Sequence, residues 1–412
     1  MNLNRLRFAR IRCVCRLLPF LAFACVLQAQ TKQDKSSPTS NPGIVLQKDY
    51  DELRHSAGRV KADEIPAIEQ KATAGDLQVQ LLLGMLYQVG CGIISRDPVK
   101  ELAWYHKAAD QGSSIALNQI GAYYDGGAGH DPAEAFKWYR KAADHDDAVA
   151  QYNVGSMYES GDGVERDSLE AAVWYQAAIE NGFYEALNRL VSLYDRGKAM
   201  PTRSLQDNQK EGLTLLQSWV NQSNADAELM LAESYKAGSL GLPRDEAQGI
   251  HWLRKAAENN SQAEVYLGYA YSHGEGVPKD EAEAVKWYQK AAEQGNLNGQ
   301  ANLAYMYEHG KGVHKDMAAA AKWCQAAAEQ GDTAAQYELG RMYEDGRGVH
   351  KDAITSIMWF LLAKDGGARD FMSEMHINWG PPGFSFYRHP YDADYQEALK
   401  RAIAWRDQHY CR

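Results

Sequence analysis

Apolar side chains recur along this chain at the spacing of one helix face, and glycine-rich stretches interrupt them. In the segment AQYNVGSMYESG, Ala150, Val154 and Tyr158 lie four residues apart, which places them on one face of a helix. Gly155 lacks a side chain that would keep a neighbouring helix away, and Gly161 fits a left-handed helix end. A second helical pattern, SLEAAVWYQAAIENG, follows the loop GDGVERD. The segment therefore predicts a helix-turn-helix unit.

Aromatic residues mark this unit eight times, at intervals of about 36 residues. The anchor tryptophans are Trp104, Trp138, Trp174, Trp219, Trp252, Trp287, Trp323 and Trp359. The anchor tyrosines are Tyr87, Tyr124, Tyr158, Tyr194, Tyr235, Tyr271, Tyr307 and Tyr343. The predicted copies span about 76–112, 113–146, 147–182, 183–224, 225–260, 261–295, 296–331 and 332–367. The fourth copy is degenerate and carries the insertion MPTRSLQDNQ between its helices. Since one helix pair cannot bury its apolar face alone, neighbouring pairs must stack.

Acidic residues precede the second helix of several copies and are expected to cap it. They are Asp131, Asp167, Asp245 and Asp280, each followed three residues later by Glu or Gln. The Gly-x-Gly motif before them is not a phosphate loop, because it lacks a preceding strand and a Lys-Ser/Thr pair. We interpret it as the turn between two helices.

The repeat resembles a known family. Residues 263–295, AEVYLGYAYSHGEGVPKDEAEAVKWYQKAAEQG, are similar to the Sel1-like repeat, a relative of the tetratricopeptide repeat. The resemblance implies an all-α, right-handed α/α superhelical solenoid of about eight helix-turn-helix repeats with helical caps. It also implies a scaffold that mediates protein–protein interactions, with no catalysis of its own. Fold does not decide function, so a binder of glycan or peptidoglycan fragments and a β-lactamase-like hydrolase are the alternatives.

The two ends of the chain differ from the repeats. Residues 1–29 combine five arginines, a short apolar run and a small exit residue, which predicts a signal peptide cleaved after Ala29 and a periplasmic or secreted protein. Membrane attachment would require lipidation at Cys25. A polar linker is predicted at 30–43 and a helical cap at 44–75. Residues 368–412 contain an irregular aromatic segment and a closing helix. We interpret the aromatic segment either as a part of the C-terminal cap or as an element that captures a ligand.

Charge excludes one class of partner. The formal net charge is −10, and removal of the five leader arginines makes it −15. A chain this acidic is not expected to bind nucleic acid. Cleavage leaves Cys91, Cys324 and Cys411, too few and too scattered for a disulfide framework.

No catalytic, cofactor or metal motif is found. The chain has no Ser-x-x-Lys and no HExxH, and the mature part has no CxxC. His309, His314 and His350 lie beside Gly-x-Gly turns and are interpreted as solvated. The β-lactam-binding Sel1-like proteins have a cysteine pair in each repeat, whereas Cys91 and Cys324 lie in different helical contexts.

Acidic residues follow the anchor tyrosine in five copies, near the predicted end of the first helix, where negative charge is unfavourable. They are Asp125, Glu159, Asp195, Glu308 and Glu344. One interpretation is ion pairing with a Lys or Arg of the adjoining unit. The other is a groove surface for a protein or peptide of basic character. In that groove Asn153, Asn302 and Tyr305 are further candidate contacts, the asparagines for a peptide backbone.

Overall fold

The structure, a computed structural model, describes residues 60, 62–90, 94–127, 129–365 and 393–409. Within these ranges every regular element is helical. A short 3-10 helix, Ala62–Glu64, precedes the first unit of α-helices. These are α1 Ile65–Thr73, α2 Leu77–Val89, α3 Pro98–Ala109, α4 Ser114–Gly126, α5 Pro132–Ala143, α6 Ala148–Ser160, α7 Ser168–Glu180, α8 Ala186–Asp195, α9 Leu205–Val220, α10 Ala225–Ala237 and α11 Glu246–Ala256.

The second unit contains six helices among the described residues. They are α12 Ser261–His273, α13 Glu281–Glu293, α14 Leu297–His309, α15 Met317–Glu329, α16 Thr333–Asp345 and α17 Ala353–Asp365. A further helix, α18, spans Ala393–His409. The predicted signal peptide, linker and aromatic segment, with Cys25, Cys91 and Cys411, lie outside the described residues.

The helices are arranged as pairs. In every complete copy of the second unit the first helix contacts the second, and the second helix contacts the first helix of the next copy. The same pairing runs through the first unit from α2 to α11. The predicted all-α solenoid of helix-turn-helix repeats is therefore confirmed for the part of the chain that the structure describes.

Every second helix except that of the fourth repeat begins after an aspartate cap. The Asp167 carboxylate accepts from the backbone nitrogen of Leu169 at 2.9 Å and from that of Glu170 at 3.1 Å. Asp131 and Asp280 accept the same pair of bonds, and Asp245 accepts one, from the backbone nitrogen of Gln248. Such a cap contributes about 1 kcal/mol to helix stability.

In the first, second, third and sixth repeats the tyrosine after the anchor tryptophan lies deeper in the core than the tryptophan itself. Tyr175 is 0% exposed, whereas Trp174 is half-buried. Gly155 makes room for the Tyr175 ring. A Cβ at this position would lie 2.8 Å from the ring, so only glycine allows the close approach that the sequence predicted. The sequence marks the tryptophan as an anchor and does not show that the next residue is buried more deeply.

The Gly-x-Gly turn also joins neighbouring repeats. Gly346 ends α16 in a left-handed conformation with φ +73°, as predicted for this class of position. Gly348, with φ +72°, lies so close to the preceding repeat that a Cβ would overlap the carbonyl oxygen of Met317, at the start of α15. Gly163 and Gly312 have the same relation to the second helix of the preceding repeat.

The fourth repeat differs from its prediction at one point. Its second helix, α9, begins at Leu205, so part of the predicted insertion belongs to a longer helix of 16 residues. The Ser204 hydroxyl accepts from the backbone nitrogen of Asp207 at 3.1 Å and starts the helix there.

Candidate partner-binding surface

The acidic residues after the anchor tyrosines lie near the ends of the first helices. In α4 and α6 they contact the tyrosine hydroxyl of the second helix of their own repeat. Tyr175 Oη donates to Glu159 at 2.8 Å, and Tyr139 Oη donates to Asp125 at 3.4 Å. Burial, and next the charge of Glu159, raise the pKa of Tyr175, so its hydroxyl is the donor.

Arginines of the following repeat contact two of these carboxylates. Arg189 Nη1 lies 3.5 Å from Glu159, and Arg347 Nη1 donates to Glu308 at 2.8 Å. Both arginines belong to the adjoining repeat. The two contacts therefore agree with the first interpretation of the acidic row, in which each carboxylate pairs with a Lys or Arg of the next repeat.

Two further candidate residues bond within the chain. An Asp195 oxygen accepts from the backbone nitrogen of Leu240 at 2.6 Å and from Gln209 Nε2 at 3.2 Å, which ties the loop after α10 to α8. Asn153 Nδ2 donates to Asn118 Oδ1 at 3.2 Å and links α6 to α4. These groups contribute to the joints between repeats.

Glu344 differs from the other acidic residues. Its Oε1 atom is buried and has no hydrogen-bond partner among the described residues. Phe360, whose ring lies against Gly340, stands where Tyr175 carries its hydroxyl in the third repeat. Burial raises the pKa of Glu344, and the neighbouring charge of Asp345 adds to the effect. The eighth repeat therefore keeps the carboxylate but lacks its usual donor.

Two tyrosines are exposed at equivalent positions of neighbouring first helices. Tyr269 on α12 is 44% exposed and Tyr305 on α14 is 45% exposed, and these two helices contact each other. His273 lies 4.0 Å from the Tyr269 ring and His309 lies 4.2 Å from the Tyr305 ring, between ring centroids. Lys311 Nζ donates to Tyr305 Oη at 2.9 Å. We call Tyr269 and Tyr305, with these two histidines, the tyrosine face.

The candidate residues from the sequence are distributed over five helices. Asn302, Tyr305 and Glu308 share α14, where Asn302 is half-buried, while Glu344 lies on α16. The others lie in the first unit, on α4, α6 and α8: Asp125, Asn153, Glu159 and Asp195. Sequence reasoning missed Tyr269, although its signal was present: it precedes Tyr305 by one repeat of 36 residues.

The anchor aromatics are not available to a ligand as open rings. Trp219 and Trp359 are buried, and every other anchor tryptophan is half-buried. The anchor tyrosines are buried or half-buried as well. The large number of Tyr and Trp residues is the feature that favours glycan binding, and the partial burial of the anchors weakens it.

Other chemistry has little support among the described residues. No three His, Cys, Asp or Glu side chains there form a group that could hold a metal ion, and no helix there is long and apolar enough to span a bilayer. Cys324 is buried and donates to the Ala335 carbonyl at 3.3 Å, and burial raises its pKa to about 12. At neutral pH it is a protonated thiol and a poor nucleophile.

The sequence profile of the Sel1 repeat matches more than half of the chain. The matched segments are 78–113, 114–147, 148–183, 225–261, 261–296, 297–332 and 333–367. The chain therefore belongs to the Sel1 repeat family, and the resemblance seen in the sequence is confirmed. Proteins of this family are typically protein-interaction scaffolds and are generally non-catalytic. Most of the predicted fourth copy lies between the third and fourth matches.

Individual relatives share the repeat. The chain is 29% identical over 98 residues to the ERAD-associated E3 ubiquitin-protein ligase component HRD3A of Arabidopsis thaliana, which is 23% of this chain and 14% of that protein. A protective antigen of uropathogenic Escherichia coli strains, described as displaying an SLR fold, is 29% identical. The match covers 85% of this chain and 73% of the antigen, with a TM-score of 0.41. A Sel1 repeat protein from Oxalobacter formigenes is 27% identical over 84% of this chain and 98% of its own, with a TM-score of 0.44.

Proposed function

We propose that this protein is an exported scaffold that binds other proteins through the tyrosine face and performs no catalysis of its own. The observation that carries the proposal is the exposure of Tyr269 and Tyr305 at equivalent positions of two contacting helices. Tyrosine is enriched at protein interfaces because its ring supplies contact area and its hydroxyl supplies a hydrogen bond. The anchor aromatics cannot serve this purpose, because they pack against the cores of the repeats.

The partner is expected to be basic. The proposed mature chain has a formal net charge of −15, and Lys311 and Arg347, which lie beside the tyrosine face, are already engaged. Arg347 contacts Glu308 at 2.8 Å and Asp345 at 3.1 Å, while Arg341 lies 3.9 Å from Glu338. Binding should therefore weaken as salt is raised, because screening reduces the attraction between exposed charges.

Export is part of the proposal and is supported by the basic start, short apolar run and small exit residue of residues 1–29. We expect the mature chain to begin at Gln30. N-terminal sequencing of the protein from its native host tests this, and an unprocessed Met1 would contradict it. A fatty-acyl mass on Cys25 would show lipidation instead of release.

The tyrosine face can be tested with a matched pair of double variants. Tyr269→Ala with Tyr305→Ala removes two interface anchors, and loss of such anchors typically costs more than 1 kcal/mol each. Leu169→Ala with Val173→Ala is the control, because these α7 side chains are 47% and 53% exposed. Proteins crosslinked to each chain in the native host are quantified after purification, with circular dichroism as the check on folding.

The tyrosine variant should lose at least tenfold of the partner captured by the wild-type chain, and the control should keep it. Equal capture by the wild-type chain and the folded tyrosine variant would refute the tyrosine face as the binding surface.

A further inference from the structure

Four repeats carry a lysine three residues after the anchor tryptophan. These lysines are Lys107, Lys141, Lys255 and Lys290. Each ammonium lies over the ring of its own tryptophan, between 3.8 and 5.5 Å from the ring centroid. A cation at this place interacts with the π-face of the indole and with the negative end of the helix dipole.

Other cations lie over the anchor ring in the third and seventh repeats, whereas the eighth repeat carries Leu362 at the lysine position. Arg140 lies 4.5 Å from the centroid of the Trp174 ring, and Lys322 lies 5.5 Å from that of Trp323. In the fourth repeat the lysine position is held by Gln222, and the described residues place no Lys or Arg over the Trp219 ring. The last turns of α7 and α9 contain no basic residue.

A cleft opens at the place where the lysine is missing. Its volume is about 470 Å³, and it lies between the C-terminal ends of α7 and α9 in the first unit. Trp219 and Gln222 both line it, together with the aliphatic side chains of Ile179 and Leu215.

The electrostatics of the cleft favour a cation. Glu180 is the one charged residue of its lining, which contains no Lys, Arg or His. Gln176 Nε2 donates to Glu180 Oε1 at 2.8 Å and holds this carboxylate beside the cleft. Two helix C-termini, the ends of α7 and α9, add partial negative charge at the same place.

We propose that this cleft binds an alkylammonium group, which takes the place of the lysine that the fourth repeat lacks. The ammonium lies near Gln222 and is attracted by Glu180 and by the two helix ends. The alkyl chain lies against the partly exposed side chain of Leu215. The group belongs either to a free diamine or to a lysine side chain of a bound protein. The proposal does not depend on the tyrosine face, because the cleft is built from helices of the first unit.

The test is a calorimetric titration of the full-length chain with two amines and a neutral control. The amines are 1,5-diaminopentane and Nα-acetyl-lysine methylamide, and 1,5-pentanediol is the uncharged match for the diamine. We expect saturable binding of at least one amine and no binding of the diol. Tighter binding of the diamine would identify a free diamine as the ligand, and tighter binding of the lysine derivative would identify a protein side chain.

Three variants locate the site. Gln222→Lys supplies the missing ammonium from the chain itself and should weaken amine binding at least tenfold. Glu180→Gln should weaken it similarly without filling the cleft. Gln217→Lys adds the same charge at an exposed position of α9 that does not line the cleft, and binding should be unchanged.

Three results would overturn the proposal. The first is the absence of heat with both amines, and the second is equal affinity for the diamine and the diol. The third is unchanged amine binding in both Gln222→Lys and Glu180→Gln. Since four other repeats carry lysine at this position, Gln222→Lys is expected to fold. If circular dichroism shows otherwise, Glu180→Gln decides the test.

Discussion

The second glycine of the Gly-x-Gly turn gives the sharpest test of how the repeats are joined. Gly346 and Gly348 belong to the same turn and have nearly the same backbone conformation, with φ +73° and +72°. A Cβ at Gly346 would meet its nearest atom, Lys351 Cβ, at 3.4 Å, which is ordinary contact. A Cβ at Gly348 would overlap the carbonyl of Met317, in the preceding repeat.

The two substitutions should therefore differ in size. A left-handed conformation costs an alanine roughly 1–2 kcal/mol, and both variants carry this cost. Gly348→Ala must in addition separate two backbones, and overpacking of this kind costs typically 1–3 kcal/mol. We expect Gly346→Ala to lower the free energy of unfolding by about 1 kcal/mol and Gly348→Ala to lower it by about 3 kcal/mol.

Urea unfolding of both variants, followed by circular dichroism at 222 nm, measures the difference. Gly312→Ala repeats the test at the preceding joint, where the Cβ would overlap the Glu281 carbonyl. Equal unfolding midpoints for Gly346→Ala and Gly348→Ala would refute the tight joint between repeats and leave the motif as a turn only.

Three other substitutions test single contacts. Phe360→Tyr should raise the free energy of unfolding by about 1 kcal/mol in urea titrations, because its hydroxyl can donate to the unpartnered Glu344 oxygen. Burial raises the pKa of Glu101 to about 7 from its usual value near 4.5, so the folded state holds this proton more tightly. Stability should therefore fall as pH rises from 4.5 to 7, and Glu101→Gln should flatten this dependence in thermal melts. Lys290→Met should lower the free energy of unfolding by about 3 kcal/mol, because it removes the partner of the buried carboxylate of Glu264. Lys286→Met breaks the exposed pair with Glu283 and should lower it by less than about 1 kcal/mol in the same urea assay.

Each of these expectations can fail separately. A Phe360→Tyr chain no more stable than the wild-type chain would mean that the new hydroxyl does not reach the carboxylate. An unchanged pH dependence in Glu101→Gln would assign the titration to another group. Equal losses from the two lysine variants would mean that the buried pair contributes no more than a surface pair.

The fold was predictable from the sequence because the same local signals for helix faces and helix ends recur from repeat to repeat. Aromatic spacing fixed the period, and Asp167 and Gly161 were recognised as helix ends from chemistry within a few residues. The relation between Gly348 and Met317 was not predictable, because it joins residues 31 positions apart in neighbouring repeats. Helical periodicity also could not show that Tyr175 lies deeper than Trp174, since both are adjacent on one helix.

The candidate surface was less predictable than the fold. The acidic row allowed two interpretations, since a position on a helix does not reveal which side chain of another repeat will meet it. The partners of Glu159 and Glu308, Arg189 and Arg347, lie 30 and 39 residues further along the chain. Whether a tyrosine packs in the core or can bind a partner depends on the exposure of its side chain. That exposure depends on the neighbouring helices and cannot be read from the sequence.

Site-specific photo-crosslinking tests the central claim, binding through the tyrosine face, most directly. A photoreactive phenylalanine analogue at position 305 places the crosslinker on this face, and the same analogue at position 322 places it on an exposed site of α15. Irradiation in the native host should join a partner protein to the chain labelled at 305, and Tyr269→Ala should reduce that product. A partner joined at 322 and not at 305 would contradict the account.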